Sequence, residues 1–380
     1  MRPVKPIDAL RQDLERDLQA RKTAGLLRTL QVPHGIDLCS SDYLGYAHDP
    51  ELSNEVAAVV AQEGLGSGSA RLLRGHLPLH DAVEARLATF CGREAALLFS
   101  SGFAANSGVL PALCGPDDTV FSDALNHASL IDGIRLSRAR RVVYPHADLD
   151  ALETALKVPR TGRALIATES VFSMDGDLTD LTSICDLAER YGALCLVDEA
   201  HATGLYGARG SGRVEALGLS QRVACTLHTG GKALGSGGAW IAGDRALIAW
   251  LINHCRSFVF STAVVPAIAA SLDAAVRRLP RDAQLVTDLH EKARLLRDRL
   301  RANGLDLGQS QSCIVPVLLG EAKRALAVAK SLQDQGFDVR AVRPPTVPEG
   351  TARLRLTVRA PLARADLLRA ADALTLAARP

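Results

Sequence analysis

Apolar positions recur at helical spacing near the start of the chain, at Leu10, Leu14 and Leu18, and this period predicts an amphipathic helix over residues 8–30. From about residue 43 to residue 277 the pattern becomes an alternation. Short apolar runs, clearest at 95–99, 164–168 and 194–197, each lead into polar or glycine-rich residues and then into a helical pattern. Strands alternating with helices predict right-handed crossovers and a mostly parallel sheet covered on both faces. Near Leu279-Pro280 the pattern changes again. A long charged helix over 282–301 leads to short strands at 314–318 and 353–358, with a helix rich in Ala, Lys and Leu over 321–335. The expected fold class is therefore α/β: an N-terminal helical segment over 1–42, a large mostly parallel-sheet domain over 43–277, and a smaller, separate C-terminal α+β domain over 278–380. In such sheets ligands bind beyond the carboxyl ends of the strands, so the residues following the apolar runs are where chemistry is expected.

Composition narrows the function. Lysine plus arginine number 44 against 42 acids, a net charge of +2, which argues against the basic stripe of a nucleic-acid surface. Aromatic residues are only 4% of the chain, so the core is expected to be aliphatic. No run approaches the roughly 18 apolar residues needed to span a bilayer. The best candidate, 246–252, lies between Arg245 and Asn253 and is expected to be a buried helix. Residues 1–30 mix both signs of charge, at Arg11, Asp13, Glu15, Arg16 and Asp17, where a secretory signal needs an apolar stretch. The 8 cysteines form no C-x-x-C pair, and several sit in apolar runs such as 193–197; they are expected to be reduced and buried in a cytoplasmic protein.

Five segments carry candidate chemistry. Ser100-Ser101-Gly102-Phe103-Ala104-Ala105-Asn106 follows the run at 95–99, and a small-residue turn opening a helix aims free N–H groups at an anion such as a phosphate. Small residues also cap helices without binding anything, so this segment alone decides nothing. The glycine-rich stretch 64–71 has a helical pattern before it in place of a strand, which excludes a dinucleotide fingerprint and leaves a loop for close approach of backbone. Asp198 ends the run at 194–197, where a carboxylate can pair with a protonated ring nitrogen. His201 follows one helical turn later and can reach the same ligand. An N-cap and a surface histidine are the plain alternatives. Neither H-x-x-x-H nor H-E-x-x-H surrounds this segment, so no zinc site is expected there. In Thr226-Leu227-His228-Thr229-Gly230-Gly231-Lys232-Ala233, one lysine lies among small residues. Lys232 lacks the following Ser or Thr and the first glycine of a phosphate loop, which favours an imine-forming amine. His127 is a flat group able to stack on a ring, and Ser173, in the turn-forming segment 171–177, can bond a ligand oxygen. An anion nest, a ring-nitrogen carboxylate and an imine-forming lysine are together what pyridoxal 5′-phosphate requires.

The chain also resembles the α-oxoamine synthases, fold-type I pyridoxal-phosphate enzymes, from about Leu18 to the C-terminus. The resemblance is carried by Ser41-Asp42-Tyr43-Leu44-Gly45, by residues 101–106, by Thr168-Glu169-Ser170-Val171-Phe172-Ser173-Met174-Asp175-Gly176-Asp177, by Asp198-Glu199-Ala200-His201, and by the lysine segment. The most discriminating match is Arg343-Pro344-Pro345-Thr346-Val347-Pro348-Glu349-Gly350-Thr351-Ala352-Arg353-Leu354-Arg355-Leu356-Thr357, which points to the biotin-synthesis branch. That resemblance implies a decarboxylating condensation of L-alanine with a pimeloyl thioester, on coenzyme A or acyl carrier protein, by a homodimer. It implies Lys232 as the cofactor-linked lysine, Asp198 as partner of the pyridine nitrogen, His201 and Ser173 at the phenolic oxygen, and His127 stacked on the ring. Gly102 and Phe103 would supply phosphate-binding N–H groups, with the Thr229 hydroxyl beside them. Arg355 would grip the amino-acid carboxylate, with Thr346 in the substrate site and Arg28 near the acyl group, where Lys22 and Arg21 are rivals. Without the motif, Arg353 and Arg355 read as alternate-face strand residues in a salt-bridged surface. Ser41 stands where the family usually has asparagine, a loss of one amide donor to the carboxylate. The alternatives are a sister synthase using glycine or serine with another acyl thioester, such as an aminoketobutyrate ligase, an aminotransferase or β-lyase on the same fold, and a non-catalytic scaffold.

Overall fold

The computed structural model describes residues 6–379. Helix α1 (Pro6–Thr23) leads to a two-residue strand, β1 (Ile36–Asp37), and then to α2 (Pro50–Glu63) and α3 (Pro78–Cys91). The next strands are β2 (Ala95–Phe99), β3 (Thr119–Asp123), β4 (Arg140–Tyr144), β5 (Ala164–Glu169), β6 (Ala193–Asp198), β7 (Cys225–Thr229) and β8 (Ala239–Gly243). Helix α4 (Gly102–Leu113) follows β2, and α5 (Ala128–Ser137) follows β3. These 7 strands form one sheet in the order β2-β8-β7-β6-β5-β3-β4. All neighbours pair parallel except β8, which runs antiparallel to both β2 and β7. The carboxyl ends of β2, β3, β5, β6 and β7 therefore lie along one edge.

Alternate residues of each strand feed two apolar layers. Leu165, Leu196 and Leu227 pack with Val109, Leu110 and Leu130 on one face, while Ile166, Cys195 and Val197 pack with Leu181 and Ile184 on the other. Two-sided burial explains why the strands read as continuous apolar runs. A buried leucine or isoleucine in such a layer stabilises the fold by about 1.5–3 kcal/mol, so the sheet is a rigid platform for what stands on its edge.

A second, 3-stranded sheet, in the order β11 (Ala341–Val342), β12 (Ala352–Thr357), β9 (Ile314–Gly320), is wholly antiparallel. Helices Ala283–Ala302, Ala322–Gln333 and Arg364–Ala377 cover it. This lobe is distinct as a sheet but not as a core. Leu296, Val315, Leu354 and Leu374 belong to the same apolar cluster as Leu44, Leu87, Leu98 and Trp240 of the large domain. Strand β1 pairs in parallel with β10 (Phe337–Asp338), so the segment before residue 43 also adds to the lobe, a long-range pairing with no local sequence signature.

Three sequence expectations are corrected. The first helix stops at Thr23, ahead of residue 30, because Gly25 takes a left-handed φ of 69°. Its apolar residues Ile7, Leu10, Leu14 and Leu18 are all more than half exposed, without a partner among the described residues. The segment 246–252 lies in helix Arg245–His254, where only Ile248 and Leu251 are buried and Trp250 stands half-exposed, because the helix covers the outside of the sheet layer. The glycines of 64–71 do not serve close approach within the chain, since a side chain at Gly64, Gly66 or Gly68 would meet no atom within 4 Å. Gly64 and Gly68 instead take positive φ, which glycine adopts without strain.

Candidate active site

The edge of the large sheet gathers most of the expected residues. Asp198 ends β6, in register with Glu169 at the end of β5. Its Oδ1 accepts the Ala200 N–H at 2.9 Å, and its Oδ2 accepts Nδ2 of Asn106 at 2.8 Å. The same amide nitrogen donates to Ser129 Oγ at 3.0 Å, and that hydroxyl lies 2.8 Å from Nδ1 of His127. His127 is the N-cap of α5, so Nδ1 also accepts the Ser129 N–H. Both contacts leave Nδ1 an acceptor and put the ring proton on Nε2. Burial lowers the His127 pKa, with Asp198 opposing and Lys232 adding, so the ring is neutral. The plain reading, a helix cap with an exposed histidine, is therefore what the structure shows for His127.

His201 follows β6 in a run of turns; no helix begins there. Its Nδ1 lies 2.7 Å from the Tyr43 hydroxyl. Burial pushes that phenol up to about 12, so it stays an O–H donor, with Ser41 and Arg355 facing its oxygen. His201 is pushed well below its ordinary range by burial first, then by the charges of Lys232 and Arg355. It is therefore a neutral ring with its proton on Nε2, able to donate to an oxygen in the site.

Lys232 sits in the turn after β7. Gly235 holds that turn against residues 46 and 47 at a φ of 63°, and a Cβ there would lie 2.2 Å from the Ala47 nitrogen. Burial lowers the Lys232 pKa to about 8, with Arg355 adding and Asp198 and Glu169 opposing. The amine therefore lies among the two carboxylates, both histidines and Arg355. Glu169 is itself raised by burial and by Asp198, and its Oε1 accepts the His127 N–H at 2.6 Å. A neutral amine attacks a carbonyl and an ammonium does not, so aldehyde capture by cofactor-free protein is expected to rise through about pH 8, well below the range of an ordinary lysine. The rate of growth of visible absorbance against pH checks this; a midpoint near 10 contradicts it.

Helix α4 supplies the anion nest. Ser101 caps it, accepting the Ala104 N–H at 3.1 Å, while the Gly102 and Phe103 N–H groups have no partner among the described residues. A Cβ at Gly102 would lie 3.9 Å from Thr229 Cβ, so the end of β7 adjoins the nest. The Thr229 hydroxyl donates to the Gly238 carbonyl at 3.0 Å.

The small lobe adds Arg355 from β12. Its Nε donates to the Ser173 carbonyl at 2.6 Å and its Nη1 to Thr357 Oγ1 at 2.9 Å, with no carboxylate partner among the described residues. Arg353 and Arg355 share one face, as positions two apart must, and both reach the 173–175 turn, which corrects the alternate-face reading. The salt-bridge reading holds for Arg353, paired with Asp175, and fails for Arg355.

Arg28 Nη2 donates to Thr346 Oγ1 at 2.8 Å, bringing together two residues 318 apart in sequence. Arg21 instead pairs with Asp17 along α1. Thr346 lies on the wall of a cavity of 640 Å³ whose lining includes Leu125, Ile131, Phe172, Met174 and Val347.

Sequence reasoning gave no role to Tyr43, Asn106 or Glu169. Glu169 carried the same signal as Asp198, an acid ending an apolar run. Asn106 stood in a motif already singled out, but that its amide turns toward Asp198 depends on how α4 lies over the sheet.

A phosphate-bearing pyridine aldehyde fits this set on its own chemistry: unpaired N–H groups at a helix start, a buried carboxylate, a flat neutral histidine, and an amine of low pKa.

Comparison with known proteins agrees. The aminotransferase class I and II family matches residues 33–374. The 8-amino-7-oxononanoate synthase of Geobacter sulfurreducens is 45% identical over 374 residues, covering 94% of this chain and 96% of that protein. Among solved structures, a serine palmitoyltransferase from S. paucimobilis with a bound PLP–myriocin aldimine superposes with a TM-score of 0.91 at 28% identity, over 98% of both chains. The 8-amino-7-oxononanoate synthase from Francisella tularensis gives 0.80 at 26%, over 90% of this chain and 97% of its own. With so long a match laid over this constellation of side chains, the chain belongs to the aminotransferase class I and II family, among the 8-amino-7-oxononanoate synthases.

Proposed function

We propose that this chain condenses L-alanine with a pimeloyl thioester in biotin synthesis, giving 8-amino-7-oxononanoate, CO2 and the free thiol, with pyridoxal 5′-phosphate as cofactor. When bound, the cofactor supplies a carbonyl that condenses with amines and a protonated ring that draws electrons from the amino-acid Cα. The protein does the rest. Gly102 and Phe103 N–H groups hold the phosphate beside Thr229. Asp198, steadied by Asn106, keeps the ring nitrogen protonated. His201 Nε2–H and Ser173 would serve the phenolic oxygen, and the His127 ring would lie against the cofactor.

Lys232 Nζ is the amine that would hold the cofactor through its aldehyde, and when free it would take the alanine Cα proton, for which it is already in place. Arg355, with Ser41 and His127 near, holds the alanine carboxylate and so directs the Cα–H toward Lys232. The cavity beside Phe172 and Met174 suits an acyl chain, with Arg28 and Thr346 at its rim. The new C–C bond joins Cα to the thioester carbonyl, the thiolate leaves, and CO2 departs from the former alanine carboxyl.

The observation that carries this reading is an amine of low pKa, in the turn after β7 and among the charges of Asp198, Glu169 and Arg355, on a chain 45% identical to a known synthase. The test is product mass after mixing the holoenzyme with alanine, glycine or serine and with pimeloyl or acetyl thioesters of coenzyme A or acyl carrier protein. Preferred turnover of glycine or serine would select a sister synthase, the reading favoured by the fold likeness to serine palmitoyltransferase. Arg355→Ala is expected to raise KM for L-alanine by roughly 100-fold, two charge-assisted hydrogen bonds being lost. An unchanged KM would remove Arg355 from the carboxylate site.

Residues 43–277 are read as the cofactor-binding domain, 278–380 as the small domain and 1–42 as the N-terminal segment. A homodimer is supported by apolar side chains exposed around the nest, Leu73 at 82%, Phe103 at 48% and Phe260 at 72%, and by the open stripe of α1. A sedimentation mass of one chain, 40.3 kDa, would contradict it. All 8 cysteines are free thiols, which supports a reducing, cytoplasmic setting, and no described helix is long and apolar enough to cross a membrane.

A further inference from the structure

The turn at 172–177 is the strut between the two lobes. Ser173 offers its carbonyl to Arg355, Asp175 pairs with Arg353, and the Gly176 carbonyl accepts the Gln311 and Ser312 N–H groups, both at 3.0 Å. Gly176 has a φ of 68°, and a Cβ there would lie 2.2 Å from the Ile314 carbonyl oxygen, so the strut presses directly on β9. Its other end runs on from β5 through Ser170 and Val171, where the Val171–Leu178 bridge, Thr179 and Arg213 close the base of the turn, and one further side chain ties its Asp177 to β3. His146, just beyond β4, places Nδ1 2.9 Å from Asp123 Oδ1 at the end of β3 and Nε2 3.0 Å from Asp177 Oδ2. The Phe172 ring meets the imidazole edge-on at 4.4 Å between centroids.

A neutral imidazole has one N–H, and here both nitrogens face carboxylates, so the geometry itself calls for the doubly protonated ring. Both acids are otherwise committed or enclosed. Asp123 accepts the Leu125 and Ala147 N–H groups, and Asp177 Oδ1 is buried without a partner. Other charged or titratable groups act on the pair: the Tyr144 phenol and the Glu169 carboxyl on Asp123, and Arg213 on Asp177. Burial alone would lower the His146 pKa, but the two carboxylates outweigh it and push it up to about 10. Without that cation the two buried carboxylates would be left facing each other, and Asp177 would take the strut with it.

We propose that His146, carrying a proton on each ring nitrogen, is a positioning residue for the amino-acid carboxylate: it pins the 172–177 strut to the large sheet and so fixes the Ser173 carbonyl that aims the Arg355 guanidinium. The inference rests on the reading of Arg355 as the carboxylate grip. It assigns His146 no contact with substrate or cofactor. Charge at His146 reaches the substrate only through where the strut stands.

The test is a titration of the holoenzyme, followed by its visible absorbance, with L-alanine and with L-alaninamide, which lacks the carboxylate. The unsubstituted protein is expected to favour L-alanine; no preference would overturn the reading of Arg355 and this inference with it. Given that preference, His146→Gln is expected to weaken L-alanine roughly tenfold while leaving L-alaninamide within about twofold. In an Arg355→Lys background the same change is expected to cost little more, because both act on one interaction. Adding Asp177→Asn to His146→Gln removes the stranded carboxylate and is expected to restore most of the L-alanine affinity. Should His146→Gln fail to fold, Asp177→Asn alone is expected to show a smaller effect of the same selectivity. Equal weakening of both ligands, or full additivity with Arg355→Lys, would reduce His146 to a structural ion and overturn the proposal.

Discussion

Lys232→Ala is expected to lower turnover by at least about 10⁴-fold and to abolish the visible absorbance that accompanies covalent attachment of the cofactor aldehyde. A positioned general base contributes roughly 10²–10⁴, and Lys232 has the further duty of presenting the aldehyde to the incoming amine. No neighbour can substitute: the Nδ1 atoms of His127 and His201 are occupied, and a guanidinium has no acceptor atom. Stability separates this loss from unfolding. The folded-state pKa of about 8 lies below the ordinary 10.5, so the unfolded chain binds the extra proton between those values. In cofactor-free protein the cost of burying the charge is full below about pH 8 and disappears as pH rises toward 10.5. The unsubstituted protein is therefore expected to gain thermal stability relative to Lys232→Ala across that window, on the order of 1–3 kcal/mol at most. A variant that keeps turnover, or loses it by unfolding at neutral pH, contradicts the assignment.

Asp198→Asn is expected to cost roughly 10³-fold in kcat with little change in KM for either substrate. An amide fills the same space and can still accept the Ala200 N–H, and its nitrogen can donate to Asn106 once that amide turns its partnerless Oδ1 toward it, so the local fold survives. What disappears is the fixed negative charge facing the ring nitrogen, and preorganised charge of this kind is worth about 10²–10³ per group. Asn106→Ala removes a neutral donor to Asp198 Oδ2 and is expected to act in the same direction but more weakly. The measurements are steady-state kinetics and the pH dependence of cofactor absorbance; a kcat within threefold of the unsubstituted protein would show that Asp198 is not the ring partner.

Much of this site was legible before any fold was known, and the reason is local. Asp198, Lys232 and the 101–106 nest each follow an apolar strand, and parallel strands bring their carboxyl ends to one edge whatever the details of packing. Strand type, the helix cap at Ser101 and the turn at the lysine depend on neighbours a few residues away. The extent of the first helix and the burial of 246–252 were misjudged because both depend on what lies against them. Periodicity marks an apolar stripe without saying whether anything covers it.

From the chain alone came the alternating α/β architecture and the places of Lys232, Asp198 and residues 101–106 just beyond strand ends, because short-range pattern and strand direction dictate them. Only the folded molecule joined β1 to β10, Arg28 to Thr346, Asn106 to Asp198 and Tyr43 to His201, and only there does His146 bridge Asp123 at the end of β3 to Asp177 in the turn beyond β5. Those side-chain contacts span from 23 to 318 residues, and the directions that make them arise only when helices, strands and the two lobes pack together, a geometry no local spacing encodes.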